Sequence, residues 1–208
     1  MKMSRQRIRF LKNNQIIDVV NNFIPQYETD LSLPVEIENL LFLNGINIIT
    51  HKDLKRTYGI ESYITTNGAD KIVIDSDIYM NDETRARYTL AHEFGHYILH
   101  GSFIKSQNIS SEEEYFDFRK SITPEEEKRI EIQAHIFAGY TLIPQASFRC
   151  KIDSLIENLG GSKNIGIVEF KAIMKDITNQ YCCSDRVAFK QLEYEYPKIY
   201  EELRATIL

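Results

Sequence analysis

The chain has 208 residues, 43% of them hydrophobic and 26% charged, with 9 glycines and 5 prolines. This composition excludes an intrinsically disordered chain, a collagen and a coiled-coil array. Its 25 basic residues stand against 30 acidic ones, a formal charge of −5, which excludes a protein built throughout as an electrostatic nucleic-acid binder.

The length suits one sizeable domain with a small appendage, and no self-similar period marks a repeat array. Lys2, Arg5, Arg7, Arg9 and Lys12 open the chain without an acid among them. No apolar run follows them, so they read as a solvated basic helix rather than a secretory leader, with a DNA- or partner-binding arm as the alternative. No stretch approaches the ~18–20 apolar residues of a membrane span, and the cytoplasm is the expected compartment. Cys150, Cys182 and Cys183 lack metal-binding spacing and read as reduced, small apolar residues.

Residues 4–24 place Ile8, Leu11, Ile16, Val19, Val20 and Phe23 at helical spacing, with a stop at Pro25. Val35, Ile37, Leu40 and Leu41 predict a short helix closed at Asn44-Gly45. The period then changes. Ile46, Ile48 and Ile49 mark a strand up to His51; after a loop, Ser62–Thr66 and Lys71–Asp75 form a predicted antiparallel hairpin about the tight-turn pair Asn67-Gly68. A proline-free helix is predicted from Thr84 to His100, ending at Gly101. Residues 102–122 read as a long exposed loop, with Glu112-Glu113-Glu114 on a solvated face. Thr123-Pro124-Glu125-Glu126 then carries a capping box with proline at the first helical position, opening a helix to about Leu142. Further helices are predicted at about 151–159, 165–178 and 185–206. Helices, a small and mostly antiparallel sheet, then helices again define an α+β class with a helical C-terminal part.

His92-Glu93-Phe94-Gly95-His96 carries the chemistry. Residues four apart share a helix face about 6 Å apart along the axis, so the two imidazoles can bind one tetrahedral metal. A zinc ion there lowers the pKa of its water towards ~7, and Glu93 stands where a carboxylate can take the proton as a carbonyl is attacked. This spacing is the helix signature of zinc metallopeptidases. Zinc requires a third protein ligand. His100 lies about 12 Å along the axis from His92, too far to converge with it and His96, and reads as a helix-end residue that complements the dipole. Glu131 and His135 share a face of the following helix while Ile130, Ala134, Phe137 and Thr141 pack inward. Either can be the third ligand, the other steadying a ligand histidine. Tyr97, Tyr140 and His135 are the candidates for stabilising the transition state. Lys71–Asp75, or its neighbour, is the candidate edge strand for an extended substrate.

Thr89-Leu-Ala-His-Glu-Phe-Gly-His96, Glu131-x-x-Ala134-x-x-Phe137-Ala138 and Leu142-x-Pro144 together resemble the ImmA/IrrE family of zinc metallopeptidases over roughly residues 15–145. The resemblance implies a zincin-like domain over 1–145 and a helical extension over 146–208 packed on it. It implies Zn2+ held by His92, His96 and Glu131, with Glu93 as general base. The family usually has asparagine where this chain has His135, which leaves that residue to orient a ligand, polarise the substrate carbonyl or compete for zinc. It also implies a regulator, often from a phage or mobile element, that cleaves a helix-turn-helix repressor of the XRE class. The alternative is a non-proteolytic regulator that sequesters a DNA-binding partner. Tyr181–Leu192 resembles the turn and second helix of a helix-turn-helix, although Glu193, Glu195, Glu201 and Glu202 oppose direct DNA binding by these helices.

Overall fold

The computed structural model describes residue 8 and residues 10–27, 33–161 and 165–207; Lys2, Arg5, Arg7 and Arg9 lie outside them. Helix α1 (Asn13–Tyr27) buries Ile16, Val20 and Ile24 and runs two residues past the stop expected at Pro25. The proline removes a single i→i−4 bond, and the helix ends within the following turn. Helix α2 (Ile37–Leu43) closes at Asn44, with Gly45 in the left-handed region at φ 71°.

Strand β1 (Asn47–His51) leads into a one-turn helix α3 (Leu54–Tyr58), anchored by the buried Leu54, where the sequence predicts only a loop. Strands β2 (Ser62–Thr65) and β3 (Lys71–Asp75) pair antiparallel as expected, with Thr65 opposite Lys71. Their connection is a longer loop rather than a two-residue turn: only Gly68, at φ 83°, is left-handed, and the Thr66 and Asn67 amides both donate to the Ile109 carbonyl, at 2.9 and 3.3 Å. That contact from outside the hairpin replaces the turn the dipeptide favours alone. The sheet order is β1-β3-β2 with β1 parallel to β3, so the sheet is mixed and β3 is its central strand.

Asp75 caps helix α4 (Ser76–Asn81) by accepting from the Asp77 and Ile78 amides at 2.9 and 3.3 Å. Helix α5 (Glu83–Lys105) continues through Gly101, because Phe103 and Ile104 are buried in its last turn. A mid-helix glycine costs about 1 kcal/mol, less than two buried side chains return at ~1.5–3 kcal/mol each. The stretch expected as an exposed loop holds the end of α5 and helix α6 (Glu112–Ser121). Ser111 caps α6, Ile109, Phe118 and Ile122 anchor it, and Glu112, Glu113 and Glu114 occupy its first turn, where the helix dipole favours acids.

Helix α7 (Pro124–Leu142) opens with the predicted capping box: the Glu126 amide donates to Thr123 Oγ1 at 3.2 Å and the Thr123 amide to Glu126 Oε2 at 2.9 Å. Helices α8 (Gln145–Asn158), α9 (Ile167–Tyr181), α10 (Asp185–Glu195) and α11 (Pro197–Ile207) complete the chain. The expected last helix is divided at Tyr196, where Pro197 disfavours helical backbone in the residue before it. The cysteines are unpaired; Cys183 is buried and Cys182 half-buried, as expected of small apolar residues, but Cys150 is exposed, contrary to the expectation that all three are at least half-buried.

The core centres on α5 packed against α7, with α1 across α7 and the sheet beside α5. Phe94 joins the layers, its ring 5.3 Å from Phe23 and 5.8 Å from Phe137. Gly95 sets the helix spacing, since a Cβ there would lie 3.1 Å from Phe137 Cβ and 3.2 Å from Ala134 Cα. No helix among the described residues is long and apolar enough to cross a membrane.

Candidate metal centre

The face of α5 opposite the Phe94 layer presents His92 and His96, and α7 presents Glu131 to both. The two Nε2 atoms are 3.1 Å apart; Glu131 Oε2 lies 3.2 Å from His92 Nε2, and Oε1 lies 3.4 Å from His96 Nε2. Ligand atoms about 2.05 Å from a tetrahedral zinc stand about 3.3 Å from each other; the contacts here, shared between the two Glu131 oxygens, are of that size, and one ligand atom from each of the three side chains lies within 4.8 Å of the others. His96 is buried and His92 nearly so, while the Glu131 side chain is about one-third exposed, so the cluster meets solvent on the Glu131 side.

Electrostatics agree with the geometry. Burial alone would raise the Glu131 carboxyl, but hydrogen bonds and charge from His92 and His96 hold it far below the ordinary carboxylate range. Burial likewise opposes charge on His96, yet Glu131 and Glu93 raise its pKa. Such a carboxylate facing two imidazoles is a preformed place for a cation.

Glu93, the residue after His92, is buried and lines the same cavity as His96 and Glu131; Ser62 on β2 donates its hydroxyl to Glu93 Oε1 at 2.6 Å. His135, one turn beyond Glu131, sets its ring 4.4 Å from the His92 ring. Its Nδ1 lies 2.9 Å from the Tyr88 hydroxyl. Burial, then the charge of His92, lowers the His135 pKa to about 4, so the ring is neutral at physiological pH. Burial raises the Tyr88 phenol to about 12.

The structure does not bring Tyr97 or Tyr140 to the cluster. Tyr97 donates to Asp70 Oδ2 at 2.8 Å and accepts from Lys105, while Tyr140 donates to Glu195 on α10. His100 is not a helix-end cation. It is buried well inside α5, 3.4 Å from His96 Nδ1, and burial pushes its pKa down to about 3. It steadies the far nitrogen of His96 as a neutral ring. Nor is β3 a docking edge, because both its sides are paired; β2, its neighbour beside α5, pairs with no strand on its other side among the described residues.

Two partners of the site go unforeseen in the sequence. Tyr88 continues the four-residue series of His92 and His96 on one helix face, a signal that was available. Ser62 reaches Glu93 across 31 residues, and nothing local announces it.

A small mixed sheet alongside a helix that carries two histidines and a glutamate, with a third donor from the next long helix, is the arrangement of a zincin-like metallopeptidase. The IrrE N-terminal-like domain of the peptidase M78 class matches residues 45–153, slightly more than half of the chain, and the chain belongs to this family. No curated protein matches it. Membership supports a peptidase-type activity and calls for a metal, which the three clustered side chains are placed to hold.

Proposed function

We propose that the protein is a zinc-dependent endopeptidase of narrow specificity, cleaving a helix-turn-helix repressor or a similar regulatory protein and so relieving repression. The observation that carries the peptidase reading is the triangle of His92, His96 and Glu131 with a buried glutamate, Glu93, beside it. The repressor as substrate follows from the family resemblance alone.

In this reading His92, His96 and Glu131 hold the zinc, which supplies an activated water and polarises the scissile carbonyl. Glu93, held by Ser62, takes the proton of the attacking water and passes it to the leaving amine. His135 receives the Tyr88 hydroxyl at Nδ1, carries its proton on Nε2 and donates it as a hydrogen bond to the developing oxyanion.

The substrate lies extended along β2. Glu61 O bonds Asp75 N at 2.8 Å, so the alternation of an antiparallel pair turns the peptide groups of Ser62 and Ile64 away from β3. Among the described residues no backbone group pairs with them on that outer side.

The test is co-expression of the protein, and of Glu93→Gln, with a helix-turn-helix repressor encoded beside it. The repressor is followed by mass spectrometry and zinc per chain by elemental analysis. One cut made only by the glutamate form, with about one zinc per chain in both, is expected. An intact repressor held in a stable complex by both forms supports the sequestering regulator instead.

A further inference from the structure

A groove of about 770 Å³ opens beside the metal centre, between the first half of α5, α7 and α10. Its volume lies in the upper part of the ~300–1,000 Å³ range of ligand clefts. Tyr88 and His135 stand at its inner end, so it opens directly onto the residues placed next to His92. Glu61, the residue before β2, lines it as well, which makes the groove continuous with the unpaired edge of that strand. Its outer wall is α10, which lies beyond residues 45–153 matched by the family domain.

The charges along the groove are nearly all committed. Arg85 pairs with Glu61, Lys190 pairs with Glu193 at 2.7 Å, and Asp82 accepts from the Arg85 amide at 3.0 Å as the α5 cap. Arg186 is the exception. It is exposed on α10, forms no ion pair or hydrogen bond among the described residues, and its charge acts on both Tyr88 and His135. Ile132, 45% exposed, and Tyr194, 38% exposed, present uncovered apolar surface in the same groove. An uncommitted guanidinium sharing a cleft with exposed apolar side chains, beside the candidate metal centre, fits a carboxylate borne by an otherwise apolar peptide.

Resting on the peptidase reading above, we propose that this groove holds the substrate's polypeptide on its way to β2 and that Arg186 selects an aspartate or glutamate a short distance from the scissile bond. The C-terminal extension thereby supplies substrate specificity, and the element resembling the second helix of a helix-turn-helix acts on peptide rather than DNA.

The experiment is a selection from a displayed random peptide library on the zinc-loaded Glu93→Gln chain, repeated with Arg186→Glu added. The selected peptides are then offered to the active enzyme. An acidic residue enriched at one fixed position is expected, with at least tenfold weaker binding to the Arg186→Glu chain. That chain should turn the preference towards lysine or arginine, while zinc content and the far-ultraviolet circular dichroism stay unchanged. The same residues enriched in both selections, or no acidic position in the first, overturns the proposal. Peptides that bind through Arg186 but remain uncut overturn the peptidase reading and leave the groove assignment standing. Peptides cut with no acidic preference do the reverse.

Discussion

At the scale of single residues, the proposed role of Glu93 as base rests on its hydrogen bond from Ser62. Both are buried, and a hydroxyl donating to a carboxylate at 2.6 Å is a charge-assisted hydrogen bond. Hydrogen bonds to charged groups contribute about 1.5–3 kcal/mol, and a tenfold rate change corresponds to about 1.4 kcal/mol. Ser62→Ala is therefore expected to lower kcat roughly tenfold by letting Glu93 turn away from the attacking water, with KM and zinc content unchanged. Ser62→Thr, which keeps the hydroxyl, should restore most of the rate; steady-state kinetics on the cleaved substrate with all three forms checks this. An alanine form with unaltered kcat would remove Ser62 from the site. The histidine pair is legible in the sequence because it rests on a local rule, His92 and His96 sharing one helix face; the residues alone leave Glu131 and His135 open as the third donor, and the family resemblance points to Glu131. Ser62 is not legible there, because its contact depends on the sheet lying beside α5. His100 misled for the same reason, since spacing puts it near a helix end while packing buries it.

Among the elements, α5 and α7 hold the two halves of the site, and Gly95 fixes the distance between them. Alanine in place of a mid-helix glycine favours helix by about 1 kcal/mol, but its Cβ would meet both the buried Phe137 side chain and the backbone of Ala134 at 3.1–3.2 Å. Backbone cannot step aside as a flexible side chain can, and overpacking of this kind costs about 1–3 kcal/mol. Gly95→Ala is accordingly expected to be destabilising overall and to push Glu131 away from His92 and His96. Thermal unfolding with and without zinc separates the two effects: the melting temperature falls, and the extra stability conferred by zinc shrinks as the affinity drops. A variant that keeps the full zinc-dependent shift would show that the helices repack without moving the ligands. At this scale the sequence was readable where the end signals are complete. Thr123-Pro124-Glu125-Glu126 produces the cap it spells, whereas Ser111-Glu112-Glu113-Glu114, which has the same hydroxyl-to-glutamate spacing, reads as loop because its acids look like a solvated face. The end of α5 and the loop after Thr65 escaped because burial of Phe103 and Ile104 and the Ile109 carbonyl, both tertiary, override the local glycine signals.

For the whole molecule, the question is whether the C-terminal helices fold with the metal-binding part or merely lean on it. Arg87 bears on the answer. It is buried in α5, donates through Nη2 to the Val35 carbonyl at 2.7 Å and through Nε to the Cys182 carbonyl at 3.2 Å, and so ties the entry to α2 and the turn between α9 and α10 to the helix that carries His92. A second tie lies at the end of α10, where Glu195 accepts from Tyr140 and Gln145 and pairs with Arg149 at 2.5 Å. Between these ties Phe148, Tyr181 and Leu192 belong to the same apolar cluster as Phe94 and Phe137. An extension held by one continuous core and by buried polar bonds at both ends unfolds with the rest. Urea denaturation is therefore expected to give one transition, coincident by circular dichroism and tyrosine fluorescence. Arg87→Met preserves the volume but leaves the buried Val35 carbonyl and the part-buried Cys182 carbonyl without their donor, at a cost of ~1–3 kcal/mol for the first and less for the second, so the transition should shift by about 3 kcal/mol and remain single. Two separated transitions in the variant would instead show a C-terminal unit that folds alone, and the wall that α10 gives the groove would then be a movable one.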